Sequence, residues 1–140
     1  MHFKNTNMIS YISSHIRQYK FTIVVAIIIT IISLVNDSKL PSQGIFGLKH
    51  LDKMIHVVMY MSLSYVLYLE RNMKKYQNIK THKIPNWLFL VFLIIMGGVI
   101  EIIQPMVSNR SCDLYDFLSN GVGAIFGYLL YHLTKNHLKL

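Results

Sequence analysis

Two short stretches of this sequence carry residue types and spacings that could do chemistry. In "LDKMIHVVMY", Asp52, His56 and Tyr60 recur every four residues, about one helical turn, with Lys53 next to Asp52. In "EIIQPMVSNRSCDLYDFLSN", Glu101, Gln104, Arg110, Asp113, Asp116 and Asn120 crowd together. A histidine beside a carboxylate is an acid–base pair. Lys53 and Arg110 are cations of the kind that bind phosphate or carboxylate. Asp113, Asp116 and Glu101 offer oxygen ligands suited to a hard divalent cation.

Four apolar segments must position these groups. They are "FTIVVAIIITIISLV", "MIHVVMYMSLSYVLYL", "WLFLVFLIIMGGVIEII" and "LYDFLSNGVGAIFGYLLYHL". A helix needs roughly 20 residues to span a bilayer. The first two segments are short for that and borrow residues from their flanks, with Lys20 snorkelling and Tyr19 at the interface. The expected fold is therefore all-α: an integral-membrane bundle of four transmembrane helices, at about 19–36, 54–70, 86–104 and 114–133, in a single domain over 1–140. No A-x-A-like cleavage site follows the first segment, so it is expected to persist as a span.

Composition agrees. The 140 residues are 53% hydrophobic and only 14% charged, too apolar for an ordinary soluble domain. The net charge of +8 would suit a nucleic-acid binder if the basic residues shared one folded face. They lie instead between the apolar runs, so no nucleic-acid partner is expected. The single Cys112 rules out an internal disulfide and any CxxC motif. No metal-binding or cofactor motif is present, so none is expected.

Basic residues also set orientation. Ten lie in the N-terminal region, the loop between the second and third segments, and the C-terminal region: Lys4, Arg17, Lys20, Arg71, Lys74, Lys75, Lys80, Lys83, Lys135 and Lys139. Four lie on the opposite side: Lys39, Lys49, Lys53 and Arg110. The positive-inside rule puts both termini in the cytoplasm and segments 36–53 and 104–113 outside. Of the six acids, only Glu70 then falls on the cytoplasmic side. Asp52, Glu101, Asp113 and Asp116 gather at the outward ends of three helices.

Helical spacing groups them further. Asp113, Asp116, Asn120, Gly123 and Gly127 fall within an arc of about 100°. Gly97, Glu101 and Gln104 form a second stripe, and Asp52, His56, Tyr60, Ser64 and Tyr68 a third. A lipid-facing carboxylate is costly, so the three stripes should face one another. Gly123 and Gly127, and similarly Gly97 and Gly98, would let backbones approach. Plainer roles compete. Tyr60 and Ser64 read first as hydrogen-bonding glue between helices. Asp113 reads equally well as an N-cap, and Asp116 suits a first helical turn. Glu101, at a helix C-terminus, needs a cation or a proton, with Arg110 and Lys53 nearest by topology. Pro105 is expected to end the third helix.

At these residues the sequence resembles the VanZ-like family of small bacterial membrane proteins. The resemblance rests on a D-K-x-x-H-x-x-x-Y pattern at Asp52, Lys53, His56 and Tyr60. It rests also on an E-x-x-Q, R, D-x-x-D-x-x-x-N-x-x-G pattern at Glu101, Gln104, Arg110, Asp113, Asp116, Asn120, Gly123 and Gly127. It implies a multi-pass protein of the bacterial cytoplasmic membrane. The family's founding member is associated with low-level resistance to the glycopeptide teicoplanin. Two readings follow. In one, the outer polar pocket binds an anionic lipid headgroup or a lipid-linked wall precursor, with Lys53 and Arg110 on its phosphate or carboxylate. In the other, the chain is a membrane enzyme acting on a lipid-linked substrate, with His56 and a carboxylate as acid and base. Its metal-using form would place a cation on Asp113, Asp116 and Glu101. Membrane lipids are the expected partners in both.

Overall fold

The computed structural model describes residues 3–34, 51–73, 84–108 and 112–138. Among these there are five helices and no strand: α1 (Phe3–Gln18), α2 (Lys20–Leu34), α3 (Leu51–Asn72), α4 (Asn86–Val107) and α5 (Leu114–Thr134).

Side-chain contacts fix the direction of each helix. Lys53 at the start of α3 meets Asp113 and Asp116 at the start of α5, and Tyr65 further along meets Thr134. α3 and α5 are therefore parallel neighbours. Asn86 at the start of α4 meets Tyr68 near the end of α3, so α4 runs antiparallel to both. Thr22 at the start of α2 meets Glu70, and its Ser33 meets Gln104, so α2 runs with α4. Helices α2 to α5 alternate in direction along the chain. Every acidic group singled out near residues 52, 101, 113 and 116 lies at the same end.

α3 and α5 make the most intimate pair. A Cβ at Gly123 would collide with the Val57 carbonyl oxygen and stand 3.0 Å from Tyr60 Cβ. A Cβ at Gly127 would collide with the Met61 carbonyl oxygen and stand 2.7 Å from Ser64 Cβ. Only glycine permits that approach. Ser64 then donates to the Ala124 carbonyl at 2.7 Å, which is the joining role expected of it. Tyr60, Leu63, Leu67, Leu93, Ala124 and Ile29 form the apolar core.

The interior is mixed while the exterior is strongly apolar. His56, Ser64, Glu70, Glu101, Gln104, Asp116 and Asn120 are buried. Ile27, Ile31, Val58, Phe92, Ile95, Ile102, Val122, Phe126 and Leu129 are exposed. Among the described residues, α4 is the one helix long and apolar enough to cross a bilayer by itself. The end of α1 and α2 meet that test only jointly, across a bend of 72°. α3 and α5 give up apolar positions to the polar stripes they bury.

The helix α1 is a correction to the sequence reading, which treated this segment as a basic tail. Met8, Ile12 and Ile16, four residues apart, lie exposed along it, a stripe too narrow to register as a span. The bend at Tyr19 has a defined support. Phe21 N–H and Thr22 N–H, orphaned where α2 begins, donate to Glu70 Oε1 and Oε2 at 2.9 and 2.8 Å, and the Thr22 hydroxyl adds a third bond at 2.7 Å. Glu70 is thus an N-cap lent by another helix. Pro105 is a second correction: α4 continues through it to Val107. The last turn is closed by Ser108, whose N–H and hydroxyl both donate to the Gln104 carbonyl.

Candidate functional site

The site lies where the first turns of α3 and α5 meet the last turns of α4. Two helix N-termini point into it, and their dipoles favour the carboxylates of Asp52 and Asp116 in those first turns. Glu101 comes from the opposite kind of terminus, where the dipole opposes an anion. It is held by specific contacts instead.

One set of contacts is a buried chain across three helices. His56 Nδ1 is 2.9 Å from Asn120 Oδ1, and Asn120 Nδ2 donates to Glu101 Oε1 at 3.2 Å. Direction follows from the chemistry. A carboxylate can only accept, so Asn120 must turn its NH2 to Glu101 and its carbonyl to His56. His56 Nδ1 must then carry the proton. In the neutral ring, Nε2 is left with a bare lone pair. Nε2 lies 3.9 Å from Asp52 Oδ1 and 4.0 Å from Asp116 Oδ2. Gly97 makes room for the chain: a Cβ there would stand 3.2 Å from both Asn120 and the Tyr60 hydroxyl. That hydroxyl is buried with no hydrogen-bond partner among the described residues. Gly98 gives similar room to Phe117.

The second set surrounds Lys53. Its Nζ donates to Asp113 Oδ2 at 2.7 Å and to Asp116 Oδ1 at 2.9 Å. The hydrogen bonds to Asp113 and then Asp116 hold the ammonium above its ordinary range. Asp113 is pushed below the usual carboxylate value, first by Lys53 and then by the Tyr115 N–H it accepts as N-cap. Asp113 therefore combines the cap foreseen from sequence with an ion pair at the solvent edge.

Two expectations fail here. Lys53 is not the cation of Glu101; it bridges the two aspartates of α5, and Glu101 is served by Asn120, with His56 Nδ1 3.8 Å away. Gln104 does not join the cluster. Its Nε2 donates to the Ser33 carbonyl at 2.9 Å and ties α4 to α2. Arg110 lies outside the described residues. The donor atoms that converge for a cation are also a different set from Asp113, Asp116 and Glu101. Asp52, His56 and Asp116 each offer one ligand atom, all within 4.8 Å of one another.

A family model described as VanZ/LLP1 matches residues 3–135, nearly the whole chain. The chain belongs to the VanZ/LLP1 family. No curated protein and no solved structure matches it. In this VanZ-like chain the matched region contains all five helices and both polar stretches. What sequence reasoning missed is how the other end is tied together. Glu70, Tyr68, whose hydroxyl donates to the Asn86 carbonyl at 2.8 Å, and Arg71, which donates to the Ile84 carbonyl, lock α2, α3 and α4 together. The signal available for Glu70 was its isolation, an acid within an otherwise basic flank.

Proposed function

We propose that this VanZ-like chain is a single-domain, multi-pass protein of the bacterial cytoplasmic membrane. Its four spans centre on α2, α3, α4 and α5, its termini are cytoplasmic, and its acidic cluster lies at the outer rim. An exterior of Ile, Val, Leu and Phe wrapped around a polar interior supports lipid as its solvent, because water-exposed proteins rarely carry such broad apolar faces. The alternating helix directions support the topology that the distribution of Lys and Arg indicates.

At the rim, the cluster binds a headgroup of an outer-leaflet lipid or a lipid-linked envelope precursor, and so alters what reaches the wall. Susceptibility to glycopeptides such as teicoplanin would shift as a consequence. One observation carries this reading. A buried chain from Glu101 through Asn120 to His56 is assembled beside an ion-paired Lys53 that still has a third N–H, at the rim rather than mid-bundle. A network serving only to join helices would not need so many charges, since buried ion pairs add little net stability.

The test is lipid retention. The chain is purified in mild detergent and its co-purifying lipids are identified by mass spectrometry. Glu101→Gln and Asp116→Asn should each lose the retained species while keeping helical content. Retention of the same lipids at the same level by both variants sinks the reading. Tags on the two termini should be inaccessible from outside intact cells; an external C-terminus would move the site to the wrong face.

A second reading is favoured by one detail. His56 is oriented through Nδ1 and presents Nε2 toward the rim, which is how an acid–base histidine is held. Turnover of a lipid-linked phosphate, abolished in His56→Gln, would select that reading over binding alone.

A further inference from the structure

The geometry points to a divalent transition-metal site formed by Asp52, His56 and Asp116. Three facts converge. The ligand atoms lie within 4.8 Å of one another, close enough to converge on one ion at ~2.0–2.2 Å after small side-chain rotations. His56 is 2% exposed, and its Nε2 faces two carboxylate oxygens at 3.9 and 4.0 Å, beyond hydrogen-bond reach of either. An N–H there would lack an acceptor at bonding distance, and a lone pair there would face two anions. A cation between them resolves both problems.

The supporting contacts are those a metal site needs. A ligating histidine ordinarily donates its other ring N–H to an outer partner that fixes the tautomer. Here Nδ1–H donates to Asn120, which is itself held by Glu101. Asp116 has one oxygen on Lys53, which turns its other oxygen toward His56. Asp52 is half-exposed and forms the mouth. Charge points the same way: at this end Lys53 pairs with Asp113 and Asp116 of α5, and Asp52 and Glu101 add two further carboxyl groups beside His56. The imidazole ligand selects Zn²⁺ or a neighbouring first-row ion over Mg²⁺ or Ca²⁺. Three protein ligands leave a coordination position open toward the rim.

The experiment titrates Zn²⁺ into the untagged, EDTA-stripped chain in detergent, followed by calorimetry. One equivalent should bind. His56→Gln and Asp116→Asn should each weaken binding by at least ~10-fold, and the positioning variant Asn120→Ala by about 10–100-fold. Ser119→Ala, on the exposed face of α5, should leave it unchanged. X-ray absorption at the zinc edge of the unaltered chain needs no variant, and should show one imidazole with oxygen ligands. Failure of the unaltered chain to bind overturns the site. So does binding that His56→Gln and Asp116→Asn leave intact, or a spectrum with no imidazole or with several. Loss of retained lipid and loss of Zn²⁺ binding are scored separately: absent Zn²⁺ binding strikes only the metal site, and unaltered lipid retention strikes only the headgroup reading.

Discussion

Ser64 of α3 and Gly127 of α5 face each other so closely that a Cβ on the glycine would stand 2.7 Å from that of the serine. The Met61 carbonyl oxygen bars the same position, and backbone cannot move aside as a long side chain can. Gly127→Ala should therefore push α5 off α3, at the ~1–3 kcal/mol typical of overpacking. It should also break the Ser64 bond to the Ala124 carbonyl. Gly123→Ala meets the Val57 carbonyl and should behave alike. Gly121 has nothing within 4 Å of its Cβ position, so Gly121→Ala should cost no stability and gain up to about 1 kcal/mol from helix propensity. Thermal unfolding of the three variants in one detergent decides it; equal midpoints would mean the helices are not in contact as described.

Glu70 holds two backbone N–H groups and a hydroxyl at the start of α2. Glu70→Gln keeps the shape but turns an NH2 toward one of those donors. It should cost about 1.5–3 kcal/mol, the range for hydrogen bonds to a charged group. The loss should be local. Amide exchange at Phe21 and Thr22 should accelerate well before exchange in α5, and uniform acceleration along the chain would contradict a capping role.

How much of this could be read from the sequence depends on which contacts are periodic. The stripe Asp116, Asn120, Gly123, Gly127 is a repeat of three and four residues, and so was visible as one face. The face alone does not say which neighbour each residue meets. Gln104 sits in register with Gly97 and Glu101 yet reaches Ser33, because α4 touches α2 as well as α5. The pairing of Lys53 with Asp113 and Asp116 required knowing that α3 and α5 are parallel and adjacent. Glu70 bonds residues 48 and 49 positions away, a link no local pattern encodes. The helix α1 was legible through Met8, Ile12 and Ile16, but a search for spans passes over so narrow a stripe.

Asp113 is both N-cap and ion-pair partner, and two substitutions separate the roles. Asp113→Asn retains a capping oxygen and loses the charge; Asp113→Ala loses both. Thermal stability at neutral pH should fall in the order parent, Asp113→Asn, Asp113→Ala. The sign of the pH effect follows from the depressed carboxyl. Its contribution is present above the unfolded carboxylate value and disappears as pH falls through the lower folded value. The gap between parent and Asp113→Asn should therefore be constant through neutral pH and close only below about pH 4. A gap that persists in stronger acid would show that charge is not its origin.

Asn120 dictates which nitrogen of His56 is protonated, because its amide cannot reverse while Glu101 accepts its NH2. Free histidine in its neutral form favours the proton on Nε2, so the opposite tautomer is a measurable consequence of the chain of contacts. In chelator-treated protein with selectively ¹⁵N-labelled histidine, the neutral form of His56 should show Nδ1 protonated and Nε2 bare. Asn120→Ala removes the acceptor, and the ring should return to the Nε2–H form, with a loss of ~1–2 kcal/mol for the buried bonds. Glu101→Gln is the informative intermediate, since a glutamine carbonyl can still accept from Asn120. It should keep the Nδ1–H tautomer and lose less stability than Asn120→Ala. If the parent itself carries its proton on Nε2, then Asn120 is turned the other way and Glu101 must be held by something else. The lone pair on which the metal site depends would then be absent as well.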